Sequence, residues 1–198
     1  MEGVSWHGGD PRCPRWADLA YLQLDHLTFD GTARGELVVA AALAPRTAWL
    51  FRRLWRLGFP VRQLRLVDDF AASDEASMAA DNSSAFNFRV IAGTDQLSQH
   101  ALGRAIDLNP VENPWRKLAS LRPGPRPVGE PVGRPVPPFI GRIVPDAGKA
   151  FADRDLLRPG MIVRPGPVVA VFDELGWEWG GDWRHAFDDH HIAWWRRL

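Results

Sequence analysis

Ser98-Gln99-His100-Ala101-Leu102-Gly103-Arg104-Ala105-Ile106-Asp107 sets a histidine and an aspartate seven residues apart. Both side chains can ligate a metal. On a straight helix they would stand about 10 Å apart along the axis, and on a strand about twice that. Ligands of one Zn²⁺ each approach to about 2 Å. If the two share an ion, the chain must fold back between them. Gly103 is the residue best able to permit that, and Ala105 keeps the inner side of the bend small. The other reading leaves His100 capping a loop and Asp107 ending a strand, with no metal.

Working outward, Ile106–Leu108 reads as a short strand stopped by Asn109-Pro110. Upstream, Phe86–Val90 alternates as a strand, and Arg62–Val67 approaches the same period. Asp68–Ser84 is polar and Ala-rich, a long loop or a short helix. Glu36–Ala40 reads as a strand within the longest apolar run, Leu37–Ala44, which leads into Pro45 at a helix start. In that helix Trp49, Leu50, Leu54 and Leu57 form the apolar face, Arg46, Arg52, Arg53 and Arg56 fall mostly opposite, and Gly58 supplies a stop. Met1–Asp18 is rich in Gly and Pro and reads as loop.

Downstream, residues 123 to 145 hold eight of the seventeen prolines. This stretch can supply neither central strands nor helix interior and reads as an excursion over about 120–146. Val168–Leu175 is a helix ending at Gly176, and Trp177-Glu178-Trp179 is a strand broken by Gly180-Gly181. Short strands mixed with short helices predict an α+β fold, a small antiparallel sheet with helices packed on it, within one domain spanning 1–198.

Composition removes several functions. The 24 basic and 24 acidic side chains cancel, which argues against a broad nucleic-acid surface. The single cysteine, Cys13, makes neither an internal disulfide nor a Cys-rich zinc site and reads as a leftover thiol. The first thirty residues lack a signal-like apolar core, and the eight residues of Leu37–Ala44 are too short to span a bilayer. The expectation is a soluble monomer with no transmembrane segment and no visible export address.

Near the C-terminus, Gly176-Trp177-Glu178-Trp179-Gly180-Gly181-Asp182-Trp183 precedes Asp188-Asp189-His190-His191. An acid three residues before a histidine can share one face of a turn, where the histidine binds a metal and the carboxylate reaches the metal's water. The spacing occurs twice, as Asp182/His185 and Asp188/His191. A solvated His-rich tail is the plain alternative.

Together these residues resemble the M15 zinc peptidases, the VanY-type D-alanyl-D-alanine carboxypeptidases of the hedgehog/D-Ala-D-Ala-peptidase-like zinc fold. The likeness rests on S-x-H-x-x-G-x-A-x-D over Ser98–Asp107 and the later acid-x-x-His. It extends to Ser84–Arg89, Asp107-Leu108-Asn109-Pro110 and the Gly176–Trp183 box, in family order from about Phe29 onward. The resemblance implies that His100, Asp107 and His191 bind Zn²⁺. It implies that Asp188 is the general base, that Arg89 stabilises the polarised carbonyl or holds a substrate carboxylate, and that Ser98 supports the site by hydrogen bonding. His190 competes with His191, but only His191 places Asp188 three residues earlier. His185 as a ligand would require Asp182 in the role of Asp188. Phe88 stands where relatives often have Cys, and Ile192 where they often have Phe.

The implied activity is hydrolysis of amide bonds in peptidoglycan stem peptides at the bacterial cell wall, with D-alanyl-D-alanine carboxypeptidase leading. An L-alanyl-D-glutamate endopeptidase, a hydrolase of a free dipeptide and a non-catalytic zinc-stabilised wall-binding domain are the rivals. Trp177, Trp179 and Trp183 read as core before cleft wall, and Trp194 and Trp195 as an anchor for the terminus. Glu178 and Asp182 read as partners of a ligand histidine or as plain surface acids.

Overall fold

The apolar run from Leu37 ends strand β2 and starts a helix. In the computed structural model, which describes residues 1–118, 140–184 and 186–196, β1 (Leu19–Leu27) and β2 (Thr32–Ala40) form an antiparallel hairpin registering Leu19 with Ala40. Leu37 and Val39 face the main core while Val38 joins a second cluster with Cys13 and Phe86, so an unbroken apolar run suits a strand buried on both faces. The sequence expectation omits β1. Its pattern was nonetheless available: Leu24 and His26 are buried, while Tyr21, Gln23 and Asp25 are exposed.

Helix α1 (Ala44–Arg56) carries Pro45 in its first turn and ends before Gly58 in the left-handed region. It buries Thr47, Leu50, Phe51 and Leu54. The expected inner face is therefore corrected: Trp49 and Leu57 are exposed and Phe51 replaces them. Trp49 instead lies under the guanidinium groups of Arg52 and Arg56.

Only Gln63–Leu64 (β3) of the expected Arg62–Val67 strand is paired, parallel to β4 (Asn82–Ser83), because Val67 is buried as the start of a 3₁₀ turn. Between them α2 (Asp74–Ala79) is capped by Ser73, whose hydroxyl accepts the Ala76 N–H at 3.2 Å. The strand expected over Phe86–Val90 is not in a ladder. Its N–H groups reach three different segments, Phe86 to Val38, Asn87 to His100 and Phe88 to Ser5, so it laces elements together instead of extending a sheet. Phe88 packs on the cluster holding Cys13, whose free thiol is buried and fills space like a small hydrophobe.

The rest is built of β5 (Ala105–Asp107), β6 (Trp115–Leu118), β7 (Ile140–Val144), α3 (Pro167–Leu175), β8 (Glu178–Trp179), β9 (Ala186–Asp188) and β10 (His191–Ala193). They form two antiparallel three-stranded sheets, β5-β10-β8 and β7-β6-β9. The fold is α+β, with small sheets and few helices; among the described strands the pairing is antiparallel except for β3 with β4. Most of the proline-rich excursion, residues 119–139, lies outside the described residues; its last part forms the edge strand β7. Helix α3 ends at Gly176 in the left-handed region, as expected, and buries Val168, Val171 and Phe172 in the main core. Ile106 and Ile192 are cross-strand partners without exposed surface, and Trp177, Trp179 and Trp194 are buried in the same core. No described helix is long and apolar enough to cross a membrane.

Candidate metal centre

His100 opens a 3₁₀ turn, His100–Leu102, that Gly103 closes at φ 65°. A Cβ at Gly103 would lie 2.4 Å from the Ala40 nitrogen, so this glycine is required by both its dihedral and its crowding. The chain folds back there, and β5 delivers Asp107. Directly across the strand pair stands His191, the partner of Asp107.

The three side chains converge. His100 Nε2 lies 3.2 Å from Asp107 Oδ2, His191 Nδ1 lies 3.0 Å from Asp107 Oδ1, and the two ring nitrogens are 3.2 Å apart. One ligand atom from each falls within 4.8 Å of the others, and all three residues are buried. His100 Nδ1 is 2.5 Å from the Ala85 carbonyl, which can only accept, so Nδ1 carries the proton and Nε2 keeps its lone pair for the cluster. Two imidazole nitrogens and a carboxylate crowded this closely are a donor set that a divalent cation fits, with positions left open for other ligands.

The charges are coupled. Burial pushes the Asp107 carboxyl up, but His100 and His190 outweigh it and hold the group well below the usual range. For His100, burial works downward, and the Asp107 charge and hydrogen bond reverse it to a net rise.

Asp188 ends β9, and residues 189 and 190 turn the chain into β10. Asp189 is buried and clamped by Arg116, at 2.5 Å from Nε and 3.0 Å from Nη2, while the Trp179 indole donates to its carbonyl at 2.8 Å. Gly180 lets this turn sit close: a Cβ there would lie 2.6 Å from the Asp188 carbonyl oxygen and 3.3 Å from the His191 Cβ. The two adjacent histidines part in the same place. His191 joins the ligand cluster, whereas His190 Nδ1 lies 2.8 Å from the Asn113 carbonyl and its Nε2 lies 3.0 Å from Asp188 Oδ1. Burial lowers the His190 pKa, and the Asp188 and Asp107 charges more than reverse this, raising it to about 10.

Sequence reasoning missed Asn113. Its amide donates to Leu108, Asn109 and Gly160 carbonyls and accepts from the Ile162 N–H and Arg154, so it fixes the loop on which His190 leans. It also missed Asp74, which forms an ion pair with Arg89 and accepts from the Asn87 amide at 2.9 Å. Asp74 lies in the stretch that reads as a long loop or a short helix, with nothing local to mark it.

Arg89, Ser98, His100, Asp107, Asp188 and His191 line one cleft of about 400 Å³. Ser98 is buried, and its hydroxyl accepts the His100 N–H at 3.2 Å. Trp183 stands in the cleft wall, 5.4 Å from the His191 ring. Trp194 is the buried anchor expected, but Trp195 is half exposed and lines the cleft, which corrects the reading of that pair. Asp182 is ion-paired with Arg164 and Glu178 is exposed, so both are surface acids. His185 lies outside the described residues.

A family model of M15 peptidases, described as D-alanyl-D-alanine carboxypeptidase, matches residues 92–194, just over half of the chain. That span holds Ser98, His100, Asp107, Asp188 and His191, while Asp74 and Arg89 precede it. No curated protein and no solved structure matches.

Proposed function

Since the chain belongs to the D-alanyl-D-alanine carboxypeptidase family of M15 peptidases, we propose that it is a zinc peptidase removing the terminal residue from peptidoglycan stem peptides. One observation carries the reading. Asp188, an acid without a place in the ligand cluster, shares a cleft with three convergent metal-binding side chains.

His100, Asp107 and His191 would hold Zn²⁺. When bound, the ion supplies Lewis acidity, which lowers the pKa of water and polarises a carbonyl. Asp188 accepts a proton from the attacking water and returns it to the departing amine. Arg89, oriented by Asp74, places a fixed positive charge where the carbonyl oxygen becomes negative. Ser98 holds the His100 backbone, and the Ala85 carbonyl holds its ring. His190, braced by Asn113, stands behind the Asp188 carboxylate. The protein would act at the cell wall, where such stem peptides are found.

The test is mass analysis of defined stem pentapeptides after incubation with the zinc-loaded protein. Loss of one alanine is expected. Release of the whole stem from its first residue would favour the endopeptidase, and intact peptides with zinc present would overturn both. The Asp188→Asn variant is expected to keep metal and fold while losing turnover.

A further inference from the structure

Among the described residues two arginines line the cleft, and they are held differently. Arg89 is committed to Asp74 by an ion pair. Arg142, in β7, is exposed and pairs with no carboxylate among the described residues. Of the acids near it, Asp146 is taken by Lys149, and Glu75 lines the same hollow without reaching ion-pair distance.

Strand register fixes where Arg142 points. Val144, Trp115 and Asp188 are successive cross-strand partners in β7-β6-β9, so their side chains stand on one face. Arg142 is two residues from Val144 and therefore shares that face, as does its own partner Lys117. Trp115, Arg142, Val144 and Asp188 all line the metal cleft. Two strand spacings and one two-residue step put Arg142 roughly 12 Å from Asp188 between Cα atoms. A long arginine side chain spans much of that interval. Beyond Arg142 the cleft adjoins a hollow of about 600 Å³ between α2 and β7 that shares Glu75, Arg142 and Val144 with it, so no described residue blocks this side.

We propose that Arg142 is a specificity-determining residue that receives the free carboxylate of the substrate's departing residue. The inference rests on the reading above, in which Asp188 protonates the leaving amine. The residue carrying that amine would then lie beside Asp188, on the sheet face that Arg142 shares. In an amino acid the carboxylate is one carbon beyond the amine, so it reaches toward β7. A guanidinium pairs with a carboxylate through two parallel N–H bonds. The division of labour is then physical: the paired arginine polarises the carbonyl, and the unpaired one reads the chain end.

The experiment compares zinc-loaded wild type, Arg142→Gln and Arg142→Lys on two stem pentapeptides, one ending as the free acid and one as the carboxamide. Wild type is expected to favour the acid by ~10- to 100-fold in kcat/KM. Arg142→Gln should bring the ratio near one, mainly through KM, and Arg142→Lys should fall between. A wild type without preference, or an Arg142→Gln variant that keeps it, overturns the proposal while leaving the metal site's function standing. A wild type that cleaves neither peptide overturns the underlying reading instead.

Discussion

Asp107 and His191 are directly opposed across the antiparallel pair β5/β10, so a single register places two of the three side chains of the His100–Asp107–His191 cluster. Behind them Ile106 and Ile192 are likewise opposed and fully buried. A slip of one residue would turn Asp107 and His191 into the core and the isoleucines into the cleft. Burying the isoleucines thus enforces the convergence of Asp107 with His191.

Asp107→Ala should abolish stoichiometric zinc, since losing a ligand should exceed the ~10- to 100-fold cost of losing a partner that orients one. Zinc should raise the thermal midpoint of the apo wild type and leave that of the variant unmoved. Metal analysis and calorimetry check both, and a variant that still binds one zinc would contradict the ligand assignment.

Gly180→Ala tests the packing beneath the acid. The new methyl would lie 2.8 Å from the Asp188 Cβ and 2.6 Å from its carbonyl oxygen, so the backbone must move. A displacement near 1 Å is expected to cost about 100-fold in kcat/KM. Stability should fall by about 1–3 kcal/mol. Denaturation curves beside kinetics would separate the two effects.

Asp74→Asn keeps the shape of the side chain and removes the charge that holds Arg89. Turnover is expected to fall about tenfold or more as the guanidinium loses its orientation. Zinc content should not change, because Asp74 is not a ligand. Unaltered kcat would remove Arg89 from the mechanism.

Asp81 gives a pH signature away from the metal. Burial raises its pKa, the hydrogen bond and charge of Glu112 add to this, and the Val111 N–H and Arg62 oppose it; the result is about 7. The native state thus holds a proton that the unfolded chain releases at ordinary carboxylate pH. Stability from this group is present at low pH and is lost as pH rises from about 4 to about 7. Asp81→Asn should flatten that slope and raise the thermal midpoint at pH 8 by several degrees. Melting curves of both proteins from pH 4 to 8 decide it.

What could be read in advance was local. The bend at Gly103, the stop at Gly176 and the spacing of Asp188 and His191 each lie within a few residues, where dihedral preference and side-chain spacing act. Strands of three to five residues such as β6, β9 and β10 contain too few alternations to announce themselves. The Asp74–Arg89 pair and the His190–Asn113 contact join residues distant in sequence, and no single segment encodes them. On α1 the apolar spacing misleads because Trp49 finds cover from neighbouring arginines instead of the core.

The Ala40 N–H donates to the Gly103 carbonyl at 2.8 Å, and the Ala85 carbonyl fixes the ring of His100. Both props come from before residue 92, where the family match begins. A fragment cut to the matched half would carry His100, Asp107, Asp188 and His191 yet leave the ligand turn without its backing and His100 free to rotate. Where this chain is trimmed for expression therefore decides whether its centre survives, and the hairpin has to stay.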